Sequence, residues 1–208
     1  MRTPREIYAA YKIMPALQLH QLRVAAVGKI ICDNFSKPVN ERDVVLACLF
    51  HDMGNIVKFK LRSAPQFIGP ESIEYWEKIQ VETIQTYGSD QHEVSKKMAQ
   101  EIGLPEHVVE MIGDAGFSEI PAILAGDSTE LKVLQYADLR VAPTGVVSLQ
   151  ERLDDFERRY IPQKDSPEEI KAVKDLEEYI VSHCSIKRED INDIAVAPLL
   201  EELRDYSL

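Results

Sequence analysis

Apolar residues recur along nearly the whole chain at spacings of three and four, the period of a helix with one buried face. Residues 5–14 carry the pattern up to Pro15, and residues 16–35 continue it with Val24, Val27 and Ile31 on one stripe. Asn40 reads as an N-cap, with Glu41 and Asp43 in the first turn of a helix running to about Met53, where Gly54 is a natural stop. Further helices are expected over 71–87, closed by Gly88, from Ser89 or Asp90 to Gly103, and in a short stretch opened by Pro105. Three more are expected: 128–141 behind Ser128, Ser148 to about Tyr160, and Ser166-Pro167-Glu168-Glu169 to about Cys184. The last segment, 188–204, reads as helical. "PQKDSP" reads as a turn, and residues 55–70 read as a loop carrying Lys58, Lys60 and Arg62. No alternating strand pattern stands out, and "GVVSL" (145–149) is too short to count as one. The expected fold is all-α, with roughly eight to ten helices. Residues 1–145 read as the core, and the more charged residues 146–208 as a C-terminal helical extension packed on it.

Composition narrows the class. With 208 residues and 45% hydrophobic content the chain can bury one sizeable core. A formal net charge of −11 repels phosphate backbones and anionic membranes, so neither a nucleic-acid polymer nor a membrane is an expected partner. No apolar run approaches the ~20 residues that span a bilayer. "MRTPREIYAAYKIM" lacks the uninterrupted apolar stretch of an export signal. Cys32, Cys48 and Cys184 are far apart and form no CxxC pair. The expectation is a reduced, cytoplasmic protein.

The chemistry begins at "LACLFHDMGN" (46–55), where an apolar helix face ends in adjacent histidine and aspartate. Val44, Ala47, Cys48 and His51 share a face, so His51 and Asp52 fall at the rim of the core in the last turn. A helix C-terminus welcomes a cation and repels an unpaired carboxylate. A metal ion resolves both, and simple exposure at a helix end is the alternative. His20 heads the stripe Val24, Val27, Ile31, where either a hydrogen-bonded core histidine or a ligand fits. Asp138, in "VLQYADLRV", shares its face with Leu131, Leu134 and Val141 and so points inward, where a carboxylate needs a cation or several donors.

The order His20, His51-Asp52, Asp138, in the contexts "HQLRVAAV", "LACLFHDMGN" and "VLQYADLRVAP", resembles the HD-domain metal-dependent phosphohydrolase superfamily over about residues 16–145. The resemblance implies a helical bundle of the HD-domain type with His20, His51, Asp52 and Asp138 as metal ligands. Two imidazoles and two carboxylates suit one divalent ion, and manganese, iron, cobalt, nickel, zinc and magnesium all qualify. Some relatives hold two metals on additional histidines. His92 fits the first such position, but "MIGDAGF" offers Asp114 where a second histidine would stand. One ion is therefore expected, with His92 lining the pocket or, alternatively, at the surface of a helix start. Lys58, Lys60 and Arg62 follow the His-Asp turn, and Arg23 and Arg140 neighbour His20 and Asp138, so these five are the candidate phosphate-binding groups.

The implied activity is hydrolysis of a phosphomonoester or phosphodiester of a small metabolite, with a nucleotide the best candidate. Asp52 or Asp138 would take a proton from water beside His51, and His92 would protonate the leaving oxygen. The alternative is a non-catalytic metal- or nucleotide-binding signalling module on the same scaffold. A homodimer is left open.

Overall fold

The computed structural model describes residues 2–63, 68–159 and 167–208. Helix α1 (Pro4–Ala10) opens with a capping box, in which the Thr3 side chain accepts from the Glu6 N–H and the Glu6 carboxylate accepts from the Thr3 N–H. It ends earlier than its periodicity predicts. Lys12 adopts a left-handed φ of 52°, and the Ile13 N–H bonds back to Tyr8 O at 2.9 Å. The chain thereby turns so that Pro15 begins α2 (Pro15–Asn34).

Asn40 caps α3 (Glu41–Phe50), Ser72 caps α4 (Ile73–Tyr87), and Asp90 caps α5 (Gln91–Ile102), which stops at left-handed Gly103. Next come α6 (Glu106–Asp114), α7 (Ile120–Ala125) and α8 (Thr129–Leu139), the last capped by Ser128. Helix α7 was not expected: six residues with a proline at the second position are too few to show a period. A two-residue antiparallel ladder joins β1 (Val141–Ala142) to β2 (Gly145–Val146). It is followed by α9 (Leu149–Arg159) and α10 (Pro167–His183). The C-terminal stretch is α11 (Asp193–Val196) and α12 (Leu199–Arg204) rather than one helix, because Pro198 interrupts it. The segment after the His-Asp turn contains two short 3₁₀ turns, Asn55–Lys58 and Leu61–Ser63. The "PQKDSP" turn with its Ser166 cap lies outside the described residues.

The centre of the fold is α3, whose residues from Val44 to Phe50 are all buried. Helix α2 lies along it, α8 packs against both, and α6 covers another side. Helix α10 packs on α7 and α8, and α12 on α2. Gly28 lets α2 and α3 close up, since a Cβ there would stand 3.0 Å from Cys48 Sγ and 3.1 Å from Val44 Cγ1. Among the described residues no helix is long and apolar enough to cross a membrane.

Candidate metal centre

The last carbonyls of an α-helix have no partner within it and must find donors elsewhere. At the end of α3 the Tyr8 hydroxyl donates to Leu49 O at 2.6 Å, and His51 Nδ1 lies 2.9 Å from Cys48 O. A carbonyl only accepts, so Nδ1 carries a proton, and in the neutral form of the ring the Nε2 lone pair faces the far side. That Nε2 is buried and has no hydrogen-bond partner. The next residue is held as firmly: the Asp52 N–H donates to Gln21 Oε1 at 3.2 Å, from fully buried Gln21 on α2.

His20 from α2 and Asp138 from α8 complete the cluster. His20 Nε2 is 3.1 Å from Asp138 Oδ1 and 3.5 Å from Asp52 Oδ2. His51 Nε2 is 3.5 Å from Asp138 Oδ1 and 3.6 Å from Asp52 Oδ1. One ligand atom from each of the four residues lies within 4.8 Å of all the others. His20 sits on the buried stripe of Val24, Val27 and Ile31, so core packing of α2 aims it.

The electrostatics ask for positive charge. Burial alone would lower the His51 pKa, but Asp52 and Asp138 outweigh it and raise it to about 9. Burial alone would raise Asp138, but the His20 and His51 rings hold its carboxyl well below the usual range. Without an ion, protonated imidazole is what balances the two carboxylates. A divalent cation would do the same and would take up the orphaned His51 Nε2, so the donor set fits such an ion.

The cluster lies in a cavity of about 1400 Å³. His92, Lys58 and Lys60 line it as well. Gln91 Nε2 is 3.0 Å from His92 Nε2. Asp114 also lines the cavity, but neither it nor His92 joins the four-residue group.

The other proposed phosphate contacts are elsewhere. Arg62 is exposed and forms a two-bond ion pair with Glu77 at 2.7 and 2.8 Å. Arg23 does not line the cavity, and its Nε is 3.7 Å from Asp193 Oδ1. Arg140 is buried, and its donors are taken by Val147 O, Tyr136 Oη, Arg188 O and Ile191 O. The spacing that put Arg140 next to Asp138 also turned it to the opposite side of α8. Arg62→Ala is expected to leave the melting temperature within about 2 °C, because an exposed ion pair contributes little. Parallel melts of the two proteins would check it.

Trp76 is core, its Nε1 donating to Ile68 O at 2.8 Å, and Tyr87 donates to Glu101. Among the described residues, the phenyl rings that line the cavity are Phe59, Phe117 and Phe156. Also absent from the sequence reading are Asn55, Gln135 and Arg152, which line it as well. Asn55 directly follows His-Asp-Met-Gly and was the most accessible of these signals. His107 is exposed on α6 and pairs with Asp43 at 2.7 Å. His183 is half-buried, stacked on Phe35 with its Nδ1 on Tyr179 O at 2.8 Å.

Gly54 is required for a reason other than a helix stop. Its φ is −81°, an ordinary value, and α3 has already ended at Phe50. A Cβ there would fall 2.5 Å from Gln91 O, 2.8 Å from Val94 Cβ and 2.9 Å from Ser95 N. Its own N–H donates to Ser95 Oγ at 2.9 Å. The glycine therefore presses the His-Asp turn against the start of α5, which carries His92. Gly54→Ala is expected to destabilise the fold by about 1–3 kcal/mol through overpacking. It should also weaken turnover by moving α5. A denaturation curve with activity per folded molecule would show both effects.

The HD domain family model matches residues 18–142, which span all four clustered residues. No curated protein and no solved structure matches the chain.

Proposed function

Because the chain belongs to the HD domain family, we propose that it is a metal-dependent phosphohydrolase acting on a small phosphorylated metabolite, with a nucleotide the best candidate. The observation that carries this reading is the convergence of His20, His51, Asp52 and Asp138 within 4.8 Å, with His51 Nε2 orphaned and a large cavity beside them. His20, His51, Asp52 and Asp138 would hold the ion. When bound, a divalent ion supplies Lewis acidity, making water a better nucleophile and offsetting charge on phosphoryl oxygens.

The chain's own groups do the rest. The bond from His51 Nδ1 to Cys48 O keeps the ring in one tautomer and one orientation. Gln21 holds the backbone of Asp52, so its carboxylate stays beside His20 while accepting a proton from the attacking water. Lys58 and Lys60, exposed on the cavity wall, draw the phosphate toward the cluster. His92, in the same cavity, gives a proton to the leaving oxygen.

The test is elemental analysis of the purified chain followed by a phosphate-release screen over nitrophenyl phosphates and a nucleotide panel. Turnover stimulated by added divalent metal, lost in EDTA and lost in His51→Ala and Asp52→Ala is expected. A metal-reconstituted protein that hydrolyses none of these compounds sinks the reading.

A further inference from the structure

We propose that Arg152 on α9 receives a second anionic group of the substrate, which makes the preferred substrate a metabolite carrying two such groups. The proposal rests on the phosphohydrolase reading for the place of the first phosphate. Arg152 lines the cavity of the metal cluster but belongs to a different wall. The cluster comes from α2, α8 and the end of α3, within the family match at 18–142, and Arg152 comes from α9, beyond it. This wall therefore lies outside the family match.

The side chain of Arg152 is 9% exposed, and its Nε is buried without a hydrogen-bond partner. The nearest carboxylate, Asp155 Oδ2, is 3.7 Å from Nη1, too far for a hydrogen bond. A buried guanidinium is costly unless acceptors meet its donors. One flat face is covered: the guanidinium carbon lies 4.4 Å from the centroid of the Phe156 ring, one helical turn on. Phe156 in turn meets Phe117 edge-on, with centroids 5.1 Å apart at 74°. Both rings line the cavity. The ring pair fixes the plane of the guanidinium, and its two Nη groups, which unlike Nε are not sealed from solvent, are left for a ligand, the arrangement that suits an anionic oxygen pair. The volume agrees, because about 1400 Å³ exceeds the range of ~300–1,000 Å³ typical of pockets for single small ligands.

The probes are adenosine and guanosine 5′-monophosphates, their 5′-diphosphates and their 3′,5′-bisphosphates. Binding is measured by calorimetry in EDTA, and turnover is measured separately with metal. Wild type is expected to bind at least one doubly phosphorylated probe about tenfold or more tightly than its monophosphate. The 5′-diphosphate and 3′,5′-bisphosphate arms distinguish an adjacent from a remote second group. Arg152→Gln should abolish that margin and Arg152→Lys should keep part of it, with melting curves confirming both folds. No margin in wild type, or a margin undiminished in Arg152→Gln, overturns the proposal. A margin without any turnover would leave the anion site standing and remove the hydrolase reading. Turnover without a margin would do the reverse.

Discussion

Asp138→Asn is expected to lower phosphate release by on the order of 10³-fold, the scale of loss when one electrostatic partner leaves a reacting centre. Bound metal should fall with it after dialysis, while the circular dichroism spectrum stays helical. Asparagine keeps the shape of the side chain, so the packing of α8 on α2 and α3 has no reason to change. What changes is charge and hydrogen-bond polarity. In the native site Asp138 Oδ1 stands 3.1 Å from His20 Nε2 and 3.5 Å from His51 Nε2. An amide there either removes the negative charge that draws a cation or turns an NH₂ toward ring nitrogens whose lone pairs the cation needs. Unchanged turnover in this variant, with metal still bound, would place the reacting centre away from the cluster.

Much of this cluster could be read from the chain because its polar groups are tied to apolar helical periods. Val24, Val27 and Ile31 place His20, Val44 and Cys48 place His51, and Leu134 and Val141 place Asp138. Burial of those neighbours is what aims the polar groups inward. The fold class followed from the same periodicity. Features set by contacts between distant segments were less legible. Gly54 looked like a helix stop, yet its role is steric and depends on where the start of α5 lands. Helix α7 was too short to carry a period. Arg152 and Phe156 sit in "ERLDDFERR", within the charged stretch read as a C-terminal extension packed on the core, although i, i+4 spacing puts both on one side of α9. Basic residues were the least readable class. A charge close to a ligand in sequence is not close in space once the helix rotates, and Lys58 and Lys60 reached the cavity while Arg23, Arg62 and Arg140 did not.

Arg140 is where that distinction has the largest consequence for stability. It is 3% exposed and ties α8 to residues far along the chain. Its Nε donates to Val147 O at 2.6 Å, Nη1 to Tyr136 Oη at 3.0 Å, and Nη2 to Arg188 O at 3.1 Å and Ile191 O at 2.9 Å. The Tyr136 hydroxyl passes its own proton toward Glu177 Oε1 on α10 at 2.9 Å, and Glu177 Oε2 takes Arg188 Nη1 at 3.0 Å. Burial pushes the Tyr136 phenol pKa up, so it remains a donor. Arg140→Met fills similar space but strands three carbonyls and the Tyr136 oxygen, leaving Glu177 a weaker set of partners. The expected loss is about 3–5 kcal/mol, the scale for breaking a buried charged network from one side. For a chain of this length that lowers the melting temperature by about 10 °C. Metal content and the Michaelis constant, measured well below the transition, should hold near wild type, because the guanidinium does not line the cavity. A raised Michaelis constant at unchanged stability would instead return Arg140 to the substrate.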